Sequence, residues 1–250
     1  MVMPITVARY LLTKGWIPSK AGQRLNFAGS SIKMMTGFDA AAAKPYGADY
    51  FAGREACFGK YGGTWNPELA LPAAKAMIDY AGVQKGSNVL DYGFGHGFYL
   101  RAMHELLGMP NAFGCDLSEF AVENVHQTLK PFVRQCSDSN PVPFDRIFDL
   151  IIAKDVLEHV DYDKLPGLLQ QMRTSTGKLL IVVPMADRGR YRIPDYEKDK
   201  THIVRENENW WADLIQNAGF RIISTSHHLN GLKDGWHREC KTGDSIILAE

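Results

Sequence analysis

The chain has 250 residues, with 28 basic and 28 acidic side chains and therefore no formal net charge when histidines are neutral. A chain without excess charge lacks the broad field that attracts nucleic acid or anionic lipid, so we expect neither as a partner. Its 45% hydrophobic and 22% charged residues are typical of a globular protein with a sizeable core.

The cysteines at 57, 115, 136 and 240 form no CxxC pair and lack the spacing of a zinc site. We expect reduced thiols in a reducing compartment, and no metal. No apolar run reaches the length of a membrane span, and the N-terminal stretch lacks the pattern of a secretory signal. These features predict a cytoplasmic protein, and they leave a homodimer open.

The first part of the chain, residues 1–65, is rich in glycine, alanine and aromatic residues and has weak periodicity. It predicts short helices joined by glycine turns, and we interpret it as a helical lid or cap. A clear helix pattern begins at Asn66, which can cap a helix that starts at Pro67 and ends at Gly82. The second predicted domain therefore spans 66–250.

Strands and helices alternate through this second domain. The predicted strands are Val89-Leu90 and the segments NAFGCD, FVRQC, RIFDLIIA, GKLLIVVP, RIISTSHH and DSIILAE. The predicted helices are about 96–107, SEFAVENVHQTLK capped by Ser118, YDKLPGLLQQMRT and ENENWWADLIQNAGF. Apolar strands that alternate with helices predict a parallel sheet covered on both faces. The last two strands lack a helix-length connection, so they can pair antiparallel.

Three glycines at alternate positions, Gly93, Gly95 and Gly97, follow the first predicted strand. In a parallel sheet the ligand binds at the carboxyl ends of the strands, and glycine lets it approach the backbone closely. A nicotinamide dinucleotide prefers G-x-G-x-x-G, but the third position holds Phe98. A nicotinamide-dependent oxidoreductase is therefore the less favoured interpretation.

The segment DYGFGHG, with Asp91 at its start, resembles the first motif of the class I S-adenosylmethionine-dependent methyltransferases. Three further segments match that family in order: GCDLSEFAVENV, CSDSNPVPFDRIFDLIIAKDVLEHV and DKTHIVRENENWWADLIQNAGF. DVLEHV is typical of a branch that acts on small molecules. The resemblance covers about 66–250. It implies an α/β fold, a three-layer Rossmann-like sandwich with a mostly parallel seven-stranded sheet and an antiparallel last strand, plus the N-terminal helical lid.

The resemblance also implies which residues bind the adenosine part of S-adenosylmethionine. Asp116 ends the second strand, where a carboxylate can accept both ribose hydroxyls, and Leu117 follows it. Ser137 and Asp138 precede PVPF and would lie at the adenine, with Asp138 accepting from its amino group. The alternatives are a helix cap for Asp116, a role that Ser118 can fill, and a solvated loop acid for Asp138.

The methionine part of the cofactor would lie at the glycine turn. Gly93 and Gly95 would approach it, and Asp91 would hold the turn through backbone amides and meet the ammonium group. Lys154 would contribute only its main chain, since a second positive charge at the sulfonium is unfavourable. Tyr61, in the lid, would either close over the methionine or simply pack.

His202 is the candidate catalytic base, since it follows the fifth strand at the expected cofactor edge and histidine titrates near neutral pH. The alternative is a histidine that orders its loop through Asp199. Glu158 and His159 resemble an acid–base pair, but adjacent helical residues do not share a face, so we disfavour a direct role for either.

Together these features predict methyl transfer by direct displacement to an oxygen or nitrogen of a polar small molecule, such as a sugar or a natural-product intermediate. The lid, 186–202 and 228–244 would line the acceptor pocket. A catalytically silent binding protein with this fold is the other alternative, and the retained Asp91, Asp116 and glycines argue against it.

Overall fold

The computed structural model describes residues 46–52 and 64–250, and every structural statement below concerns these residues. They belong to one compact unit of the chain. Most of the expected lid, including Tyr61, lies outside the described residues, so its predicted role stays a prediction.

The helices of the described chain begin and end where local sequence signals place them. Asn66 Oδ1 accepts the Glu68 amide at 2.9 Å, and Gly82 closes the same helix at a φ of 65°, as predicted. The helices are α1 Ala48–Phe51, α2 Pro67–Ala81, α3 Phe98–Glu105, α4 Glu119–Asn124, α5 Leu165–Ser175, α6 Glu208–Asn217 and α7 Asp234–Glu239.

Seven strands form the main sheet and two short ones form a separate hairpin. The sheet strands are β1 Val89–Tyr92, β2 Ala112–Asp116, β3 Val133–Gln135, β4 Leu150–Lys154, β5 Leu179–Pro184, β8 Ile222–Ser226 and β9 Asp244–Ala249. The hairpin strands are β6 Ala186–Asp187 and β7 Arg190–Tyr191.

The sheet order is β3-β2-β1-β4-β5-β9-β8, and only β9 runs antiparallel to its neighbours. The predicted mostly parallel seven-stranded sheet with an antiparallel last strand is confirmed. Because β9 lies between β5 and β8, its first residue, Asp244, pairs with Pro184 at the carboxyl end of β5. The chain therefore brings a residue from near its C-terminus to the edge where parallel strands bind ligands.

Helices cover both faces of the sheet and bury two hydrophobic layers. On one side Met77 of α2 and Met103 of α3 pack against the sheet, and on the other Met172 of α5 and Trp211 of α6 do so. Trp211 is fully buried whereas Trp210 is half-buried. This three-layer arrangement is the predicted sandwich.

The segment after β2 departs from the predicted long helix. Helix α4 ends at Asn124, Val125 is extended, and a 3₁₀ helix follows over Gln127–Phe132. Pro131 explains part of the change, because it lacks an amide proton and disfavours α-helix in the residue before it.

Two other segments also differ from their predicted conformation. DVLEHV forms a 3₁₀ turn, Leu157–His159, instead of a helix, and His227 and His228 lie just after β8 instead of within it. Across residues 46–52 and 64–250, no helix combines the length and the apolar character that crossing a membrane requires.

Candidate active site

The glycine turn joins β1 to α3, and each glycine has a distinct reason for lacking a side chain. Gly93, Gly95 and Gly97 have φ values of 75°, 57° and 74°, which glycine adopts without strain. A Cβ on Gly93 would lie 2.4 Å from a methyl of Val156, and one on Gly97 would lie 2.8 Å from Val125. A Cβ on Gly95 would meet only the Phe51 ring, at 3.7 Å. Of the three, Gly95 therefore has the open space that a ligand requires.

Asp116, at the end of β2, connects this turn to the next helix. Its Oδ2 accepts the Gly95 amide at 2.9 Å, and its Oδ1 accepts the Ser118 amide at 2.8 Å. Burial raises the pKa of Asp116, and these two amides oppose that shift. Each carboxylate oxygen keeps a lone pair, so the side chain can still accept two hydroxyls. Ser118 caps the helix through the Ala121 amide at 3.1 Å, as predicted.

Asp91 lies inside β1, next to the turn, with 3% of its surface exposed. Burial raises its pKa to about 7, although the Lys154 ammonium lowers it. Its Oδ2 has no hydrogen-bond partner among the described residues. The turn amide of Gly95 binds Asp116 instead of Asp91, so we correct the predicted loop-holding role. An orphaned buried carboxylate oxygen fits the ammonium group of S-adenosylmethionine well.

The predicted adenine end is formed by the residues that follow β2 and β3. Leu117 is 48% exposed, so its side chain is accessible to a flat ring bound beside it. Ser137 and Asn140 exchange backbone hydrogen bonds of 3.1 and 3.0 Å in a tight turn. Asp138, in that turn, is exposed and pairs with Lys164 at 2.9 Å.

Residues 46–52 contact the site, although sequence reasoning assigned no role to them individually. The Ser118 hydroxyl donates to the Tyr46 carbonyl at 2.7 Å. Phe51 stacks on Phe120 with 5.5 Å between ring centroids, and it is the ring nearest to Gly95. This segment therefore places aromatic side chains against the glycine turn.

Lys154 ends β4, and its side chain is turned toward acids instead of the open turn. Its Nζ lies 2.5 Å from Asp155 Oδ2 and 5.1 Å from the centre of the Tyr99 ring. Its charge is thus offset locally. A main-chain role toward the cofactor is compatible with this geometry.

His202 is buried on the loop after β5, and its two ring nitrogens have different surroundings. Nδ1 lies 3.1 Å from the Tyr196 carbonyl oxygen, and Nε2 lies 3.7 Å from Asp199 Oδ2 and 3.9 Å from Glu158 Oε1. Burial lowers the pKa of His202, and Asp199 partly offsets this. The distance from the His202 ring to Asp199 exceeds a hydrogen bond, so Asp199 orders the loop through the amide and hydroxyl of Thr201 instead.

Glu158 and His159 join His202 in one cluster, which the predicted helical geometry had excluded. Since they sit on a 3₁₀ turn, their ligating atoms and that of His202 all lie within 4.8 Å of one another. The ring centroids of His159 and His202 are 4.6 Å apart. The DVLEHV motif was the available signal for Glu158 and His159. The prediction assumed α-helical geometry for them, whereas they lie on a 3₁₀ turn.

A second polar group beside the site was missed because its members are far apart in the sequence. Lys233 Nζ lies 2.6 Å from Asp155 Oδ1 and 2.6 Å from Asp244 Oδ1. The Tyr196 hydroxyl donates to the same Asp244 oxygen at 2.9 Å. The two carboxylates hold the pKa of the Lys233 ammonium well above its usual range although burial opposes this. The network joins the ends of β4 and β9.

Comparison with known structures supports the fold. A chain from a complex of the Haloferax volcanii Trm112 methyltransferase activator with a methyltransferase matches at a TM-score of 0.57 and 16% identity, covering 72% of this chain and 89% of that one. A methyltransferase from Clostridium acetobutylicum matches at 0.56 and 14%, covering 72% and 91%. One from Archaeoglobus fulgidus matches at 0.54 and 20%, covering 74% and 94%. At these identities the likeness concerns the fold alone.

Sequence comparison establishes the family. A search of curated proteins found no match. The family model described as "Methyltransferase domain" matches residues 68–227, which include the glycine turn, Asp116 and the histidine cluster. This match opposes the nicotinamide-dependent and catalytically silent alternatives. Since it spans more than half of the chain, the chain belongs to the class I methyltransferase family and is an enzyme that depends on S-adenosylmethionine.

Proposed function

We propose that this enzyme transfers a methyl group by direct displacement to an oxygen or nitrogen atom of a polar small molecule, such as a sugar or a natural-product intermediate. The observation that carries this proposal is the group formed by the half-buried His159 and the buried Glu158 and His202, close to the donor site. Tyr46 links the two sites, because its carbonyl accepts from Ser118 and its ring contacts His159 at 6.1 Å between centroids.

The donor side holds the cofactor through residues at the carboxyl ends of the first four strands. Asp116 accepts the ribose hydroxyls, with Leu117, Ser137 and Asp138 along the adenine. The backbone at Gly93 and Gly95 and the main chain of Lys154 lie along the methionine part, and Asp91 pairs with its ammonium. S-adenosylmethionine supplies a methyl group on a positively charged sulfur.

The acceptor side aligns the nucleophile and removes its proton. In this proposal His202 Nε2 accepts the proton that a hydroxyl or amine loses as its bond to the methyl carbon forms. Holding a nucleophile in line is worth roughly 7–11 kcal/mol in favourable cases. A base contributes a further ~10²–10⁴-fold. The lid, residues 186–202 and residues 228–244 would surround the acceptor, and Tyr61 of the lid would close over the methionine part of the cofactor.

An acceptor screen tests this proposal. The full chain is incubated with methyl-labelled S-adenosylmethionine and panels of sugars, phenols and amines, and products are identified by mass spectrometry. We expect transfer to a small molecule, and we expect His202→Asn to lower kcat by about 10²–10⁴-fold with unchanged S-adenosylhomocysteine affinity. The exposed His126→Asn is the matched control. Transfer exclusively to protein or nucleic acid would overturn the proposal.

Three further features belong to this proposal. We place the enzyme in the cytoplasm, because its cysteine pattern suits a reducing compartment. We assign residues 1–65 to a lid and 66–250 to the catalytic domain. A homodimer is compatible with this organisation, and size-exclusion chromatography with light scattering tests it.

A further inference from the structure

The buried group at the acceptor side consists of three side chains that can each ligate a metal ion. One donor atom from each of Glu158, His159 and His202 lies within 4.8 Å of the others. Glu158 has 1% of its surface exposed and His202 has 6%. A carboxylate and two imidazoles form a common donor set for divalent transition-metal ions.

The hydrogen bonds around His159 fix its tautomer. The Thr201 hydroxyl donates to Asp199 Oδ1 at 2.5 Å, so its oxygen can only accept from the His159 Nδ1 that lies 2.8 Å away. A neutral His159 therefore carries its proton on Nδ1 and presents the lone pair of Nε2. Carboxylate or hydroxyl partners of this kind orient histidines that bind metals.

His202 is fixed in the same tautomer by a different partner. Its Nδ1 lies 3.1 Å from the Tyr196 carbonyl oxygen, which can only accept a hydrogen bond. The ring proton therefore sits on Nδ1, and the lone pair of Nε2 points to the interior of the cluster, 3.9 Å from Glu158 Oε1.

Glu158 completes a set of acceptors that lacks a donor. Its Oε2 is buried and has no hydrogen-bond partner within residues 46–52 and 64–250. At 3.9 Å the carboxylate and His202 Nε2 are too far apart to share a hydrogen bond. A buried carboxyl oxygen without a partner beside two imidazoles is unfavourable, and a cation bound by the three side chains would satisfy it.

We propose that Glu158, His159 and His202 bind a divalent transition-metal ion of the zinc class. Bonds of 2.0–2.1 Å in a tetrahedral site place donor atoms about 3.4 Å apart, so modest side-chain rotations close the present spacing. The two nitrogen donors disfavour Mg²⁺ and Ca²⁺, which prefer oxygen. Three protein ligands leave a coordination position open, which is the pattern of catalytic sites.

This inference rests on the proposed methyl transfer for its catalytic consequence, and it replaces the base that the proposed function assigns to His202. With the ion bound, His202 Nε2 is a ligand and is no longer the base. An oxygen of the acceptor takes the open position, where the ion lowers the pKa of the hydroxyl so that its proton passes to solvent. The acceptor class narrows accordingly to compounds that present a hydroxyl group.

Metal content tests the site without any acceptor. The full chain is stripped with a chelator, dialysed against ZnCl₂ and then against metal-free buffer, and zinc per chain is measured by mass spectrometry. We expect about one ion in the wild type and at least a tenfold loss in His202→Ala and in Glu158→Gln. Cobalt(II) should give a visible absorption band that both variants lose.

Two controls separate this site from other metal-binding groups and from misfolding. His228→Ala removes a ring that stacks on His237 with 4.0 Å between centroids, a second place where zinc could bind, and it should keep the ion. S-adenosylhomocysteine affinity, measured for every variant, reports an intact fold and donor site. Zinc below 0.1 per chain in the wild type, or equal zinc in wild type and both cluster variants, overturns the inference. A failed acceptor screen with stoichiometric zinc would instead count against the proposed function alone.

Discussion

Gly95 donates its amide to Asp116 Oδ2 at 2.9 Å, so the residue that ends β2 fixes the turn that follows β1. The two residues are 21 positions apart in sequence: Gly95 lies in the turn after β1, and Asp116 ends the neighbouring parallel strand β2. The same carboxylate also accepts the Ser118 amide. A side chain expected to bind the cofactor therefore also orders the cavity that receives it, and its removal should affect both binding and stability.

Replacement of Asp116 by alanine should weaken S-adenosylhomocysteine binding by at least about tenfold. Hydrogen bonds to a charged group are worth about 1.5–3 kcal/mol each, and the variant loses those to the ribose. Isothermal titration calorimetry measures the change. The control is Asp79→Ala, which removes an exposed acid that pairs with Lys75 on α2 and should leave affinity unchanged. Unaltered affinity in Asp116→Ala would refute the assigned role.

The sheet was predictable because each strand carries its own signal. Apolar runs such as GKLLIVVP have few alternatives to a buried strand, and Asn66 and Gly82 bound α2 by local capping. The segment after Ser118 was not predictable, because helical periodicity continues past Asn124 while Val125, which lies against Gly97, is extended and ends the helix.

The donor site was predictable for the same reason, and the acceptor side was not. Gly95 and Asp116 lie in compact motifs, each next to its strand. The contact of His202 with Glu158 depends on how two long loops meet, and the contacts of Lys233 depend on β9 inserting between β5 and β8. Such placements come from tertiary structure and leave no local period in the sequence.

Asp91 should make cofactor binding depend on pH. Its pKa in the free enzyme is about 7, and pairing with an ammonium group requires the ionised form. Below pH 7 the proton must leave on binding, so affinity for S-adenosylhomocysteine should fall by up to tenfold per pH unit, and above pH 7 this group should have no further effect. Calorimetry at pH 6 in two buffers of different ionisation enthalpy should show about one proton released.

Asp91→Asn should separate binding from stability. Because the pKa of Asp91 in the folded enzyme is raised above 3.8, the unfolded chain ionises this group first, and the free energy of unfolding falls as the pH rises from 3.8 to about 7. Above pH 7 the folded enzyme is ionised as well, so the full loss of stability is present and stays constant. The variant should lose the proton release, bind S-adenosylhomocysteine more weakly and yet unfold at a higher urea concentration at pH 8. A destabilised Asp91→Asn that still releases the proton contradicts this account.

Lys233→Met should lower the free energy of unfolding by about 3 kcal/mol at pH 7. Breaking a buried ion pair costs about 3–5 kcal/mol because the remaining charges are uncompensated. The low end applies because Asp155 is a quarter exposed and keeps Lys154 as a partner. Urea unfolding measures the change, and Lys75→Met, in an exposed pair, should cost no more than about 0.5 kcal/mol. Equal effects of the two variants would mean that the network contributes little.

Alanine at Gly93 should mainly affect stability, and alanine at Gly95 should mainly affect cofactor binding. Both positions have positive φ, so each alanine costs about 1–2 kcal/mol in backbone strain. At Gly93 the new methyl also meets Val156 at 2.4 Å, so the loss of stability should be larger. At Gly95 the methyl enters open space beside Phe51, where the ligand would lie. The variant should therefore fold but bind S-adenosylhomocysteine at least about tenfold more weakly, a loss of about 1.4 kcal/mol or more.

A double variant gives the Gly93 prediction its own control. Val156→Ala removes the methyl that the new Cβ would strike, so it should recover part of the stability lost in Gly93→Ala, with a coupling of about 0.5–3 kcal/mol for residues in contact. The same Val156→Ala change should not recover binding in Gly95→Ala, because the alanine methyl at position 95 obstructs the ligand and does not contact Val156. Urea unfolding and calorimetry on the five variants measure both effects. Two results would contradict this account of the turn: recovery of cofactor binding when Val156→Ala is added to Gly95→Ala, or no recovery of stability when it is added to Gly93→Ala.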